Sequence, residues 1–510
     1  MALSPDALLA LDAIEAVELR SLEWGFTDGS LSEDEALGLV AGAVSGRGAD
    51  DLLEELIEAR LLVEIQGTSG SVRIRSRFAE TMRLLVASRQ LFPNKPWQSA
   101  PRLVADFRVD RRPRRFPRRH RSPAAIEADQ GPHFAATPLR KDLWQALTKA
   151  PGMCMADFQE RALLRLAKGG ADEGTIVTAG TGSGKTIAFY LPAMIRIGEA
   201  ILADFWVKAI AIYPRIELLK DQFAEAYRMA RSIDAALAAH GRRPLRIGAL
   251  FGATPRAARH DELAARNWAR RGTDFICPWL RCPRCDGDLL WRKEDLDEER
   301  ERLCCANAQC GTRIADTEIL LTRRRLQQQP PDVLFTTTEI LNQRLSDQWM
   351  RHLFGVGLAA SRKPLFALLD EVHTYEGASG AQAALTLRRW RHLLDSPVAW
   401  VGLSATLGDA ARFFADLTGV AADRVAEITP LAEEFEESGA EYQVLLRGDP
   451  ASRASLLSTT IQSAMLLPRT LDPPGQCVSD GAFGHRAFLF TDDLDVTNRL
   501  YDDLRDAEAY

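Results

Sequence analysis

The stretch Gly174–Phe189, GTIVTAGTGSGKTIAF, constrains this chain more than any other. It begins as a β-branched run, Thr175 to Thr178, turns through Gly180, Gly182 and Gly184, and enters a predicted helix at Lys185. Strand, glycine-rich turn and helix in that order form the context of a phosphate-binding loop. Glycines let successive backbone N–H groups point at one anion without Cβ interference, and the helix N-terminus adds partial positive charge. Residues Ala179, Gly180, Thr181, Gly182, Ser183, Gly184, Lys185 and Thr186 are therefore the candidate triphosphate cradle. Lys185 reaches the β- and γ-phosphates, and the Thr186 hydroxyl suits Mg²⁺. The strict pattern has glycine where this chain has Ala179.

The 510 residues predict roughly three or four compact units. Hydrophobic content of 46% with 26% charged residues predicts a packed protein rather than a disordered one. A net charge of −6 means that any nucleic-acid surface is local. The opening residues lack a basic leader with an apolar core, and no apolar run is long enough for a membrane span. Six of the eight cysteines fall between Cys277 and Cys310, a clustering that points to metal in a reducing compartment. The expected location is cytoplasmic.

Residues 1–92 read as helices and one hairpin, with Leu62–Ile65 and Val72–Arg75 flanking a Gly/Ser turn, a winged-helix-like arrangement. Its acidic helix, with Glu54, Glu55 and Glu58, suits a structural or protein-contact module better than a groove reader. Residues 93–139 read as a Pro/Arg-rich basic connector. Eight arginines lie between Arg108 and Arg121, beside Phe107 and Phe116, a mixture suited to phosphate contact and base stacking. Arg111, Arg112, Arg114 and Arg115 are its candidate nucleic-acid contacts; the alternative is a solvated basic linker or an arm packed on an acidic surface. Residues 140–420 alternate apolar strand candidates with helical patterns, which predicts an α/β domain with a parallel sheet. The strands expected are Thr175–Thr178, Val207–Tyr213, Arg246–Leu250, Val333–Thr336, Leu365–Leu369 and Val398–Leu403. Residues 421–484 read as a connector, and 485–510 as the start of a second α/β domain opening with a strand over His485–Asp493.

Leu365–Leu369 leads into Asp370-Glu371-Val372-His373. In a parallel sheet the ligand crevice lies at the carboxyl ends of the strands, so the acids are expected beside the phosphate loop. Asp370 is then positioned for Mg²⁺, and Glu371 for orienting or deprotonating a water. Ser404-Ala405-Thr406 follows the next strand candidate.

Taken together these segments resemble a superfamily 2 nucleic-acid helicase of the DExH type. Ala179–Thr186 is similar to the AxxGxGKT motif of that family, Asp370–His373 to DExH, and Ser404–Thr406 to SAT. The resemblance implies a RecA-like P-loop fold and ATP and Mg²⁺ as cofactors. It makes Lys185, Asp370 and Glu371 catalytic, Ser404 and Thr406 coupling residues, and Gln159 a reader of the adenine edge. Tyr213–Leu218 is similar to the family's strand-contacting PTREL motif and Thr336–Glu339 to its TTPE motif. Pro214, Arg215, Thr337 and Thr338 would then touch the sugar-phosphate backbone, which predicts binding with little sequence preference.

Cys282-Pro-Arg-Cys285 and Cys304-Cys305-Ala-Asn-Ala-Gln-Cys310 form two close cysteine groups, a spacing that fits a structural tetrahedral zinc site. The expected ligands are Cys282, Cys285, Cys305 and Cys310, with Cys304 the rival of Cys305 and Cys277 a spare. The zinc-binding module, residues 275–315, is an insertion in the ATP-binding domain.

Motors of this family place their ATP between two similar domains, and no QxxGRxGR-like segment follows His485. The chain alone is therefore expected to turn over ATP slowly, the rest supplied by a longer chain or a partner protein. The function implied is the motor portion of an ATP-dependent DNA helicase or translocase, DNA favoured over RNA. Its extension and insertion resemble large helicase subunits of bacterial phage-defence systems. The rivals are a translocase that does not unwind, and a DNA-binding scaffold for a nuclease or methyltransferase.

Overall fold

The computed structural model describes residues 3–67, 70–90, 96–170, 172–180, 182–214, 216–405, 407–450, 456–479 and 481–509. The chain divides into two compact units, Met1–Arg115 with Glu437–Tyr510, and Phe116–Glu436.

Phe116–Glu436 is built on an eight-stranded sheet. Across it the order is Ile319–Leu320, Ile247–Ala249, Val333–Thr336, Ala209–Ile212, Phe366–Leu369, Ala399–Ser404, Gly174–Thr178 and Val425–Ile428. Every neighbouring pair is parallel. The six expected strands are present, each end within two residues of its expected place, and two short ones join them.

Strand residues alternate between two apolar cores. Val177, Ala211, Phe335, Leu368 and Val401 face one core, and Ile176, Ile210, Leu334, Leu369 and Trp400 face the other. The first face is covered by helices Pro138–Thr148, Asp157–Lys168, Lys185–Ala200 and Ile216–Ser232. The second is covered by Thr338–Arg344, Gly377–Leu394 and Ala410–Thr418. Burial on both faces is why the strands read as continuous apolar runs rather than alternating ones.

At the amino edge of the sheet Asp332 is fully buried. Its carboxylate accepts from Lys208 Nζ at 2.8 Å, from Arg243 at 2.7 and 2.8 Å, and from the Arg246 backbone N–H at 2.9 Å. These residues precede three strands, so one carboxylate joins the starts of strands distant in sequence.

Between Ile247–Ala249 and Ile319–Leu320 the chain forms a separate five-stranded antiparallel sheet, ordered Arg270–Arg271, Asp274–Arg281, Asp288–Trp291, Leu303–Cys305 and Arg313–Ile314. Its Trp279 and Trp291 are fully buried beside Trp268, with ring centroids 4.9 and 5.8 Å from that indole.

In the other unit, helices Pro5–Glu23, Glu33–Ala43 and Ala49–Glu58 pack through Ile14, Val40, Leu52 and Leu56. Ser4, Ser32 and Ser76 cap helices, Ser32 with Glu35 as a full capping box. The expected hairpin is Leu62–Gln66 with Val72–Ser76, and Leu31–Ser32 adds a third strand.

Beyond the two added strands, of which Val425–Ile428 comes from the stretch read as a connector, two stretches differ from the sequence reading. Val104–Pro117, expected as an irregular arm, is a strand paired with Phe435–Gly448. Acids on the strand itself and on neighbouring elements answer four of its arginines. Arg111 bonds Asp12 and lies 3.6 Å from Glu15, Arg112 meets Asp110 at 2.6 Å, and Arg114 and Arg115 meet Glu441 and Glu437 at 3.9 and 2.9 Å. Pro113 is tolerated because a two-stranded sheet has only edge strands. The strand expected over His485–Asp493 is not formed. Those residues are irregular, take part in no strand pairing among the described residues, and lead into helix Leu494–Glu508.

No helix among the described residues is long and apolar enough to cross a membrane.

Candidate nucleotide and nucleic-acid site

Because the sheet is parallel, the loop after Gly174–Thr178, the acids after Phe366–Leu369 and the residues ending Ala399–Ser404 emerge on one edge. The Ala399–Ser404 strand lies between the other two, and the Ala179 N–H donates to the Ser404 carbonyl at 3.3 Å. The loop turns through Gly182 at φ +78° and Gly184 at φ +81°, where a side chain would be strained. Ser183 Oγ closes the turn by donating to the Gly180 carbonyl at 2.7 Å. Gly184 caps helix Lys185–Ala200, whose first N–H groups point along the loop.

Lys185 folds back across this loop. Its Nζ donates to the Ala179 carbonyl at 2.7 Å. Burial pulls its pKa below the usual lysine range, while the carboxylates of Glu371 and Asp370 pull the other way. Asp370 is buried, and burial pushes its pKa up to about 6. The N–H of Glu371, 2.8 Å from Asp370 Oδ1, opposes that rise; the Glu371 charge adds to it and Lys185 lowers it. The lysine and both acids thus lie within one another's fields.

Glu371 sits at φ +48°, a left-handed conformation uncommon for a residue with a side chain. This turns it out of the strand line. Its Oε2 lies 3.3 Å from His373 Nδ1, which is 3.4 Å from Ser404 Oγ. Glu371, His373 and Ser404 therefore form one polar chain across two strand ends. Thr186 opens onto a cavity of about 350 Å³, shared with Glu225, Arg228 and Arg281.

Gln159 is 1% exposed, and both ends of its amide are engaged. Oε1 accepts the Ala156 N–H at 2.8 Å, and Nε2 donates to the Gly184 carbonyl at 2.7 Å. Two residues that the sequence reading did not assign to the loop also meet it. Arg119 Nη2 donates to the Gly182 carbonyl at 3.1 Å, and the Phe116 ring lies against Gly182. Both belong to the arginine-rich run, Phe116 within strand Val104–Pro117 and Arg119 opening the short strand Arg119–Arg121.

Along the same edge, Pro214, Thr338, Glu339, Asn342, Tyr375 and Gln382 line a groove of about 270 Å³. The Tyr375 hydroxyl is buried there without a hydrogen-bond partner. Thr337 caps helix Thr338–Arg344 by accepting the Ile340 N–H at 3.3 Å. Arg111, Arg112, Arg114 and Arg115 belong to the other unit. Thr181, Arg215 and Thr406 lie outside the described residues.

The Sγ atoms of Cys282, Cys285, Cys305 and Cys310 all lie within 4.8 Å of one another. Cys282 and Cys310 approach to 3.6 Å, Cys285 and Cys305 to 3.4 Å. Tetrahedral zinc with Zn–S bonds of about 2.3 Å needs sulfurs about 3.8 Å apart, so the quartet fits. Cys304 and Cys277 are outside it.

Residues 156–264 match the DEAD/DEAH box helicase family. The chain is 29% identical over 320 residues to the Druantia protein DruE of Escherichia coli strain UMEA 4076-1, covering 53% of this chain and 17% of that one. It is 36% identical over 125 residues to the Lhr helicase/uracil glycosylase of Escherichia coli K12, covering 24% and 8%. The chain thus spans less than a fifth of these curated relatives. Among solved structures, MrfA, a DUF1998 helicase bound to DNA, superposes with TM-score 0.42 at 16% identity, over 71% of this chain and 37% of that one. Mycobacterium smegmatis Lhr bound to ssDNA and AMP-PNP superposes with TM-score 0.38 at 23% identity, over 58% and 28%.

Proposed function

We propose that this chain, which carries a DEAD/DEAH box helicase segment, is the motor portion of an ATP-dependent nucleic-acid helicase or translocase, with DNA the favoured track. One observation carries the reading: Lys185, Asp370 and Glu371 act on one another at the carboxyl edge of a parallel sheet, where the glycine loop and Ser404 also end.

In this reading Lys185 leaves the Ala179 carbonyl for the β- and γ-phosphates, and the N–H groups of Gly180 to Thr186 cradle the rest. Thr186 and Asp370 offer hard oxygen ligands and would hold Mg²⁺, which when bound neutralises phosphate charge. Glu371, turned out by its left-handed backbone, orients and deprotonates the attacking water. His373 and Ser404 pass the state of the Glu371 carboxylate to the next strand end, with Thr406 as a further coupling residue. Gln159 releases one of its two bonds to meet an adenine edge. The groove of Pro214 and Thr338 holds a sugar-phosphate backbone, with Arg215 and Thr337 beside it.

Cys282, Cys285, Cys305 and Cys310 would hold a structural zinc ion, which with four thiolate ligands would order the module rather than activate water. The helical unit with its hairpin is winged-helix-like and makes protein contacts. By the resemblance read from the sequence, the motor serves bacterial anti-phage defence with a protein partner.

The test is coupling. Binding of a fluorescent single-stranded DNA to the chain is measured with and without a non-hydrolysable ATP analogue and Mg²⁺. A several-fold change that Lys185→Ala removes supports the motor. DNA affinity indifferent to nucleotide in the wild type contradicts it.

A further inference from the structure

A second cleft, of about 810 Å³, opens at the far end of the same sheet edge. Six arginines line it: Arg256, Arg259, Arg266, Arg323, Arg324 and Arg344. They come from segments following Ile247–Ala249 and Ile319–Leu320 and from the end of helix Thr338–Arg344. Some are answered locally. Arg259 meets Asp261 at 3.1 Å, Arg324 meets Glu299 at 3.4 Å, and Arg344 meets Asp347 at 3.0 Å.

The rest are not. Among the described residues no ion pair involves Arg256, Arg266 or Arg323. Arg266 and Arg323 both donate to one backbone oxygen, the Gly252 carbonyl, at 2.8 and 3.2 Å. The Nε atoms of Arg323 and Arg344 are buried without hydrogen-bond partners. Burial lowers the Arg323 pKa, and the charges of Arg266 and Arg344 lower it further, against the smaller opposing effect of Glu262. Guanidinium groups crowded against one another with donors unused are the complement of a phosphate. Beside them Trp349 is 75% exposed, its backbone N–H held by Asp347 Oδ1 at 3.0 Å. An exposed indole among arginines is a platform for an unstacked base.

Helix Thr338–Arg344 joins this cleft to the groove already described. Thr338 lines the groove and Arg344 lines the cleft, about 9 Å apart along the helix axis. We propose that the cleft is a second station for the same single nucleic-acid strand, with phosphates between Arg266, Arg323 and Arg344 and a base stacked on Trp349. The proposal rests on the reading that the chain tracks nucleic acid, and it extends the path beyond the helicase-like motifs.

Anisotropy titrations of the 510-residue chain with single-stranded DNA of about 6 and about 16 nucleotides, between about 50 and 200 mM salt, test it. The variants are Arg323→Ala with Arg344→Ala, and separately the exposed changes Trp349→Ala and Arg324→Glu, each checked by thermal melting. The double variant is expected to lose affinity for the long strand and to flatten its log–log salt slope by about 0.7 for each phosphate it no longer neutralises. Trp349→Ala is expected to weaken the long strand about tenfold. Short-strand and ATP-analogue binding should stay at the wild-type level. Folded variants with unchanged long-strand affinity and slope overturn the cleft alone. So does polyphosphate binding there that competes with DNA while Trp349→Ala changes nothing. A wild-type chain that binds neither strand overturns the tracking reading and the cleft with it.

Discussion

Gln159 Nε2 donates to the carbonyl oxygen of Gly184 at 2.7 Å, so helix Asp157–Lys168 is tied to the last residue of the glycine loop. The other end of the same amide holds the Ala156 N–H at 2.8 Å. Gln159→Ala removes both bonds, leaving the loop without this tether and the helix without its first-turn partner. The affinity for Mg²⁺–ATP is expected to fall about tenfold, the equivalent of one or two hydrogen bonds. Titration with a fluorescent ATP analogue measures it; an unchanged dissociation constant would remove Gln159 from the site.

The cysteine quartet gives a second expectation. Protein purified without chelator should carry one zinc per chain by atomic absorption. Cys285→Ser, or a strong chelator, should release it and disorder the sheet that buries Trp279 and Trp291. Near-ultraviolet circular dichroism from the Trp268, Trp279 and Trp291 cluster reports the loss. A signal indifferent to chelator would mean that the thiols hold the module without metal.

Asp332 supports the opposite edge of the sheet. Burial alone would protonate it, but Arg243 and Lys208 overcome burial and hold its carboxyl below the usual range. Burial pulls Lys208 down as well, so the two partners shift in opposed senses for stability. The Asp332 direction decides, because four donor groups surround that carboxylate. A depressed carboxyl contributes stability above its ordinary pKa and loses it as pH falls below that value. Asp332→Ala leaves Lys208 buried without its ion-pair partner and is expected to cost about 3–5 kcal/mol at neutral pH, read from urea unfolding.

Glu15 behaves in the reverse sense. Burial pushes its pKa up to about 7, against the Tyr442 hydrogen bond and the Arg111 charge. A raised carboxyl contributes stability that is full below its ordinary value and is lost as pH rises through about 7. Glu15→Gln should therefore melt higher than the wild type at about pH 8 and no higher at about pH 4. Parallel melting curves with a constant offset would show that Glu15 does not titrate in this range.

The paired arginines of Val104–Pro117 lead to a negative expectation. Arg112, Arg114 and Arg115 each face a carboxylate on their own two-stranded sheet. Replacing these three with Ala should leave the salt dependence of DNA binding as it was. A flatter slope would return the strand to the nucleic-acid path.

The parallel sheet was legible because a strand buried on both faces leaves an uninterrupted apolar run, as in Val333–Thr336. The two strands missed leave no such mark. Ile319–Leu320 is two residues long, and Val425–Ile428 is broken by Glu427. The loop, the acidic pair and the cysteine groups were legible because each is contiguous in sequence. The arginine strand was misread because its partner, Phe435–Gly448, lies some three hundred residues away and supplies the acids that answer it. The arginine cleft was invisible for the same reason. Arg256, Arg323 and Arg344 are brought together only by the order of strands in the sheet.

The central claim is that Lys185 and Asp370 face one triphosphate and its metal. Equilibrium titration of wild type, Lys185→Ala and Asp370→Asn with a fluorescent ATP analogue, with and without Mg²⁺, tests it most directly. The wild type is expected to bind more tightly with Mg²⁺, Lys185→Ala to bind at least about tenfold more weakly, and Asp370→Asn to lose the Mg²⁺ effect. Equal affinity in all three proteins, unaffected by Mg²⁺, would contradict the account.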